Sequence, residues 1–235
     1  MSTRQGGSSA APWQSLNLGL AVGDDPADVA RNRERLTQAM GARPVWLRQV
    51  HGPEVLRLRH DGLADATQAA DAAWTTDKGL ACTVQVADCL PVLFAARDGS
   101  VVAAAHAGWR GLAAGVLEAT LQSMADGAAV AAVDMLVWMG PCIGPRQFEV
   151  GADVLAVFGQ SPQDPDAACF RPRQRADGSA AWLADLQHLA RLRLLAAGVT
   201  QISALPACTV EDGSSFFSFR RDRVTGRMAA AIWLS

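Results

Sequence analysis

The chain has 235 residues, of which 50% are hydrophobic and 19% are charged, the composition of a globular protein with a sizeable core. Its formal net charge of −2 at pH 7, without a long basic run, argues against nucleic acid or a membrane surface as a partner. We recognise neither a secretory signal nor a bilayer-spanning stretch, and the five cysteines have no disulfide-framework spacing, so we expect a cytoplasmic protein.

The amino-terminal part of the chain predicts a tail followed by a helix. We expect residues 1–12 to be a flexible tail and residues 13–235 to form one domain, because no linker or internal repeat divides them. Asp25 and Pro26 predict the cap and first turn of a helix that ends at Gly41.

Strands are predicted on both sides of the first histidine of interest. Apolar and β-branched residues favour strands at Val45–Val50 and Glu54–Leu58, and these flank His51. A further buried strand is predicted at Leu80–Val86. His51 is therefore expected in a turn between strands.

A hairpin is the most informative prediction of the central region. Strands at Pro91–Ala96 and Val101–Ala105 are joined at Asp98-Gly99, a strong hairpin signal. The two strands have similar lengths, so the hairpin should bring Cys89, just before it, next to His106, just after it.

The remainder of the chain mixes helices and strands. The elements predicted there are a helix over Leu112–Met124, a strand at Met135–Met139, a short helix at Ala152–Phe158, a surface loop over 160–180, a helix from Leu183 to Leu194 and strands at Val199–Ser203, Phe216–Phe219 and Met228–Leu234. Paired strands among helices indicate a mixed α/β domain rather than a regular βαβ repeat.

His51, Cys89 and His106 are a possible zinc-binding set. One thiolate and two imidazoles suit zinc, and three protein ligands leave a fourth position for water or substrate, as in catalytic sites. The spacing alone leaves two alternatives open. One is a buried thiol with two hydrogen-bonded core histidines, and the other is a Cys–His nucleophile pair.

Arginines supply the candidate anion contacts. Arg110 lies between Gly108 and Gly111 at a predicted helix start, which favours an anion site, although a surface arginine in a tight turn has the same pattern. The loop Gly140–Pro145 could form a pocket wall or a plain turn. We interpret a basic cluster near the chain's end as a solvated face, formed by Arg220, Arg221, Arg223 and Arg227.

Several motifs, in order, resemble one known family over about Asn17 to Leu234. They are Asn17-Leu-Gly, Val22-Gly-Asp-Asp-Pro, Gln49-Val-His51-Gly, Ala87-Asp-Cys89-Leu-Pro91, Ala105-His106-Ala-Gly-Trp-Arg110-Gly111, Gly140-Pro-Cys-Ile-Gly144, Phe148-Glu-Val-Gly151 and Phe216-Phe-Ser-Phe-Arg-Arg-Asp222. The sequence resembles the YfiH family, also called the multicopper polyphenol oxidase laccase family or the purine nucleoside phosphorylase YfiH/LACC-type family.

The resemblance implies a fold, a metal and an activity. The implied fold is a single-domain four-layer α/β/β/α sandwich, with zinc held by His51, Cys89 and His106. The implied activities are phosphorolysis of adenosine, inosine and S-methyl-5′-thioadenosine, and hydrolytic deamination of adenosine. The family also carries an older copper-laccase label, and some bacterial members are linked to peptidoglycan-precursor editing.

Two positions depart from the family pattern. Val86 replaces a usual threonine and Phe219 a usual tyrosine. Each loses a hydroxyl, so we expect these departures to affect substrate preference rather than the metal site.

We favour phosphorolysis, with purine nucleosides and phosphate as the small-molecule partners and Arg110, Arg33 and Gln49 as substrate contacts. Copper is disfavoured because four histidines are too few for a multicopper cluster. A cysteine hydrolase or precursor-editing factor using Cys89 and His106 is the main alternative, and a non-catalytic zinc-stabilised binding module is the third. Nothing indicates an extended interface or a coiled coil, and the oligomeric state is not readable from the sequence.

Overall fold

The computed structural model describes residues 1–62 and 68–235. The helices are α1 Pro26–Met40, α2 Trp109–Ala113, α3 Val116–Ala128, α4 Ala152–Val157, α5 Leu186–Ala196 and α6 Phe219–Asp222. The strands are β1 Arg43–Trp46, β2 Val55–Arg57, β3 Ala72–Thr75, β4 Leu80–Val86, β5 Leu90–Ala96, β6 Val102–Ala107, β7 Met135–Met139, β8 Glu149–Val150, β9 Phe170–Gln174, β10 Ala180–Ala184, β11 Gln201–Ala204 and β12 Met228–Trp233.

Three sheets organise these strands. The largest has six strands in the order β11-β7-β5-β6-β3-β2, in which β5 pairs antiparallel with both β6 and β7. A second has the order β1-β4-β12, with β1 parallel and β12 antiparallel to β4. A small antiparallel sheet has the order β8-β10-β9. Parallel and antiparallel pairs thus coexist in one mixed α/β domain, as the sequence predicts.

Apolar side chains on both faces hold the six-stranded sheet in the interior. On one face, α3 buries Leu117, Leu121 and Met124 in the main core. On the other face, Ala104 of β6 packs in a second core cluster with Leu80 and Val84 of β4 and with Ala230 of β12. A strand buried on both faces needs a nearly continuous apolar run, which is what the sequence of β4 supplies. The four-layer arrangement implied by the resemblance stays a prediction.

Helix α1 confirms the capping prediction. The Asp25 carboxylate accepts a hydrogen bond from the Ala27 amide at 2.8 Å, Pro26 is the first helical residue, and Gly41 adopts a left-handed conformation with φ 65°. The hairpin prediction is also confirmed, because β5 and β6 pair in the register Pro91↔His106.

Several elements differ from prediction. The helix after His106 starts earlier than expected and is divided into α2 and α3, because Gly115 takes φ 93° between them. The predicted surface loop over 160–180 contains β9, which the antiparallel partner β10 stabilises. The predicted strand Phe216–Phe219 is wrong, since Ser218 caps the short helix α6 by accepting a bond from the Arg221 amide. Strands β3, β8 and β10 were not predicted, and because β10 includes Leu183, the helix predicted from that residue starts only at Leu186 as α5.

Residues 1–12, for which we predicted flexibility, are hydrogen-bonded to distant parts of the chain. The Ser2 amide donates to the Ala229 carbonyl and the Arg4 amide to that of Ser215, both at 2.8 Å. Ser9 is buried and donates to the carboxylate of Asp24 at 2.6 Å. Within the part of the chain that the structure describes, no helix combines the length and apolarity needed to cross a membrane.

Candidate metal centre and its cavity

Three separate segments bring the predicted ligands together. His51 follows β1, Cys89 lies in the turn between β4 and β5, and His106 lies in β6. The β5–β6 register, with Leu90 opposite Ala107, places Cys89 beside His106 as the hairpin argument predicts. The ligand atoms of the three side chains all lie within 4.8 Å of one another.

The ligand atoms are spaced somewhat more widely than around a bound tetrahedral ion. Cys89 Sγ lies 3.9 Å from His51 Nε2, and the two imidazole rings meet edge to face with centroids 4.8 Å apart. With usual zinc bond lengths, ligand atoms around one ion are about 3.3–3.6 Å apart, so small side-chain rotations close the set. Two nitrogens and one sulfur are also a donor set that zinc prefers, and the residues therefore fit the metal.

Asp71 is a site residue that the sequence analysis missed. Its carboxylate is fully buried, with Oδ1 2.7 Å from Nδ1 of His106. Oδ2 accepts hydrogen bonds from the amides of Val50 and Gly52, each at 2.9 Å. One sequence signal could have identified it: Asp71 directly precedes the apolar stretch of β3. A carboxylate buried in such a position needs a polar partner.

Unusual backbone conformations at His51 and at Asp88, the residue before Cys89, orient the ligands His51 and Cys89. His51 and Asp88 have φ of 62° and 101°, a region that non-glycine residues rarely occupy. The Asp88 carboxylate is held by the Thr209 hydroxyl at 2.6 Å and the Arg220 amide at 2.7 Å. These bonds fix the turn that presents Cys89.

Gly108 and Gly111 allow the ligand segments to approach closely. A Cβ on Gly108 would lie 2.8 Å from Cys89 Sγ and 3.0 Å from His51 Cδ2, and one on Gly111 would lie 3.2 Å from the Gly52 carbonyl oxygen. The 2.8 Å contact is shorter than real Cβ atoms show, and the contacts at 3.0 and 3.2 Å would require the neighbouring atoms to shift by a few tenths of an ångström. The glycines flanking Arg110 therefore serve the metal centre by close packing, which the sequence analysis did not predict.

The thiol and the inner imidazole shift each other's ionisation. Burial disfavours the Cys89 thiolate, but the charge on His106 and hydrogen bonds from both histidines lower the pKa of Cys89 to about 6. Burial likewise disfavours the His106 imidazolium, but the Cys89 charge and the Asp71 hydrogen bond raise its pKa to about 9. Metal binding therefore meets a thiolate at neutral pH and has to displace a proton from His106.

The three ligands lie in the wall of a cavity of about 700 Å³. Arg33, Gln49 and Arg110, the predicted substrate contacts, line the same cavity. Arg33 donates from Nε to the Leu18 carbonyl and lies 4.0 Å above the Trp46 ring, and burial lowers its pKa to about 10. This places all three predicted substrate contacts around one space.

Gln49 and Arg110 differ in whether their polar groups are available to a substrate. The amide of Gln49 is engaged by the backbone of Gln85 through both its nitrogen and its oxygen, so it ties two wall segments together. Arg110 is exposed, with its guanidinium 4.2 Å from the centroid of the Trp109 ring.

Part of the basic cluster near the end of the chain also faces this cavity. Arg220 and Arg227 line it, so their interpretation as a solvated face is wrong. The Arg221 guanidinium instead donates to backbone carbonyls, including that of Thr209 at 2.8 Å. The short helix α6 and the turn after it, which the sequence analysis did not predict, fold these arginines inward.

The two departures from the family pattern have different surroundings. Phe219 lines the cavity, as does Ile143 of the Gly140–Pro145 loop. Val86 packs in an apolar cluster with Phe217 and Met228. The expected effect of Phe219 on substrate preference therefore has a structural basis, whereas Val86 serves the core.

Comparisons with known proteins identify the family of the chain. A family model described as multi-copper polyphenol oxidoreductase laccase matches residues 1–235. The chain is 48% identical to a purine nucleoside phosphorylase of Pseudomonas aeruginosa, covering 100% of this chain and 92% of that protein. It is also 48% identical to purine nucleoside phosphorylase YfiH of Escherichia coli, covering 99% and 92%.

Solved structures show the same fold. Neisseria meningitidis protein NMB0706 superposes with a TM-score of 0.88 at 45% identity, covering 99% of this chain and 92% of that one. The Bacillus licheniformis hypothetical protein YfiH gives a TM-score of 0.89 at 29% identity, covering 99% and 91%. With the family model matched over its whole length, the chain belongs to the multi-copper polyphenol oxidoreductase laccase family, to which YfiH proteins belong.

Proposed function

We propose that this protein is a zinc-dependent purine nucleoside phosphorylase acting on adenosine, inosine and S-methyl-5′-thioadenosine. The observation that carries the proposal is the His51, Cys89 and His106 cluster in the wall of a cavity that also presents several arginines. The relatives named as purine nucleoside phosphorylases support the same reaction class. A cavity of about 700 Å³ lies within the range of small-molecule sites, about 300–1,000 Å³.

The reaction requires an anion site next to a purine site. An oxygen of phosphate attacks C1′ of the ribose, the C1′–N9 bond breaks, and the purine leaves with the electron pair and takes up a proton. Among the described residues, Arg33, Arg110 and Arg227 line the cavity without an ion-pair partner, so their charges are available to phosphate. Aromatic wall residues such as Trp109 and Phe148 offer faces for the purine.

Zinc bound by the three ligands supplies a Lewis acid at the cavity wall. His51 and His106 would hold the metal with neutral imidazoles, and Cys89 would hold it as a thiolate. The proposal includes hydrolytic deamination of adenosine in the same cavity, in which water attacks C6 and ammonia leaves. Since water is neutral, deamination needs no arginine contact.

Phosphate dependence tests the proposal most directly. With adenosine and phosphate, zinc-loaded protein should yield adenine and ribose 1-phosphate, whereas without phosphate only slow inosine formation should remain. Release of adenine at the same rate without phosphate would contradict phosphorolysis and indicate a hydrolase.

A cysteine hydrolase or peptidoglycan-precursor editing factor is the second candidate. It is favoured by one observation, the lowered pKa of Cys89 beside His51 and His106, which yields a nucleophilic thiolate. If no nucleoside is consumed with or without phosphate, while a peptide-like acyl electrophile modifies Cys89, this candidate should replace phosphorolysis.

Copper oxidase chemistry is the third possibility, suggested by the name of the family model. In residues 1–62 and 68–235, one three-residue ligand group is present, whereas a multicopper cluster needs many imidazoles. Copper-stripped, zinc-loaded protein should therefore turn over nucleosides at an undiminished rate. Activity that required both copper and dioxygen would support the oxidase instead.

A further inference from the structure

We propose that Asp71 is the positioning residue of the metal centre. Its single carboxylate sets the tautomer of His106 and the orientation of both histidine ligands. This inference rests on the metal centre of the proposed function, but not on the substrate. Asp71 is fully buried and makes no contact with the cavity that would let it touch a nucleoside, so its contribution is made through His51 and His106.

One carboxylate oxygen fixes the inner ligand. Oδ1 of Asp71 lies 2.7 Å from Nδ1 of His106, and the backbone carbonyl of Asp71 accepts a bond from the His106 amide, also at 2.7 Å. An ionised carboxylate can only accept hydrogen bonds, so Nδ1 must carry the proton. The neutral ring then keeps a lone pair on Nε2, the nitrogen left for the metal.

The other oxygen fixes the outer ligand through the backbone. Oδ2 accepts from the amides of Val50 and Gly52, the residues on either side of His51. His51 is exposed and has φ 62°, so packing around its side chain does not hold this unfavourable conformation. The two amide bonds clamp the turn at both ends and thereby direct the ring of His51 toward Cys89.

Replacement by asparagine has a specific chemical consequence. Asp71 accepts three bonds on two oxygens, whereas asparagine has one oxygen and one NH₂ group. If the amide oxygen serves Val50 and Gly52, the NH₂ group faces Nδ1 of His106. Nδ1 must then accept, the proton moves to Nε2, and that nitrogen can no longer bind a metal. Asp71→Asn therefore moves the proton of His106 from Nδ1 to Nε2, while the side chain at position 71 keeps almost the same shape.

Zinc affinity tests the inference without any activity assay. Competition with a chromophoric chelator should show zinc binding weakened about 10- to 100-fold in Asp71→Asn. Asp24→Asn is the matched control, because the Asp24 carboxylate also accepts three bonds, from Ser9, Asn17 and Asp25, away from the ligands. Unchanged zinc affinity in Asp71→Asn, or an equal loss in Asp24→Asn, would overturn the inference.

A second measurement uses the unmodified protein and does not depend on how a variant folds. Nitrogen-15 NMR of zinc-loaded protein should show zinc on Nε2 of His106 and a slowly exchanging proton on Nδ1. Zinc on Nδ1, or a Nδ1 proton that exchanges as fast as a solvent-exposed one, would overturn the inference. Failure of the phosphorylase proposal is separate: it would leave these zinc and NMR results in place while no nucleoside was consumed.

Discussion

Cys89 Sγ lies 3.9 Å from Nε2 of His51, although the two residues are 38 positions apart in the chain. The contact joins the turn before the β5–β6 hairpin to the loop that leaves β1. Neither segment alone forms the site, so the metal centre exists only when both sheets are in place.

The first prediction concerns metal content. Protein purified without added metal should carry about one zinc per chain, since three ligands of the right type converge. Cys89→Ala should lose most of the zinc but stay folded, because a core of this size does not depend on one ion. Elemental analysis beside circular dichroism measures both, with Cys208→Ala as the control for loss of a thiol outside the cluster. Full occupancy in Cys89→Ala would refute the ligand assignment.

A pH profile of cysteine alkylation tests the electrostatics of the metal-free site. The pKa of Cys89 is lowered to about 6, so the reactive thiolate is present above that pH and is lost as the pH falls through 6. Iodoacetamide labelling of Cys89, followed by mass spectrometry, should therefore have a midpoint near pH 6 in folded, chelator-treated protein. Cys142 should stay unlabelled because burial raises its pKa.

The control for this profile is denatured protein. There the Cys89 midpoint should return to about 8.5. Bound zinc should protect Cys89 at every pH at which it stays bound. An unshifted midpoint in the folded protein would show that the histidines do not stabilise the thiolate.

Gly108→Ala should damage the metal centre more than the fold. The new Cβ would meet Cys89 Sγ at 2.8 Å, while the backbone at Gly108 has φ −66°, which alanine adopts freely. Such overpacking costs about 1–3 kcal/mol, so zinc affinity should fall about 5- to 150-fold. Chelator competition measures the affinity.

Gly159→Ala provides the opposite pattern as a control. It has φ 70° and nothing within 4 Å of the added Cβ, so it should cost about 1 kcal/mol and lower the melting temperature by about 2–4 °C without affecting zinc. If both variants changed zinc affinity equally, close packing at Gly108 would not be the cause.

Arg110→Ala separates the two proposed reactions. Loss of a charge-assisted contact with phosphate should cost about 1.5–3 kcal/mol, or about 10- to 150-fold in kcat/KM for phosphate. Deamination should change less, because water needs no arginine. Arg31→Ala is the matched control, since that exposed arginine pairs with Asp28 on α1. Equal losses of both reactions would remove Arg110 from the phosphate site.

The ligands were predictable from the sequence because local rules determine most of their placement. The Asp98-Gly99 turn sets the hairpin, and strands of similar length then bring Cys89 beside His106. His51 was assigned from its glycine turn and from the family resemblance. The hairpin turn and the glycine turn lie within about ten residues of the ligands, whereas the resemblance draws on motifs along nearly the whole chain.

The parts that were missed depend on tertiary contacts. Asp71 is buried by pairing with residues 19 to 35 positions away in the chain, which no local pattern reports. Arg227 faces the cavity because the turn before it packs on Asn17, whose side-chain oxygen accepts from the Arg227 amide at 2.8 Å. Strand β9 reads as a polar loop because it is an edge strand with mostly exposed residues.

The three ligands differ in exposure, and this gives the centre an order of metal exchange. His106 is buried and Cys89 is half-buried, and both are anchored to one hairpin, whereas His51 is exposed in a short turn. We therefore expect Cys89 and His106, the less exposed pair, to bind the ion first as a bidentate chelate, and the exposed His51 to bind it last. We expect the reverse on release, with His51 dissociating first, so that the opening of a single turn governs how quickly the ion leaves.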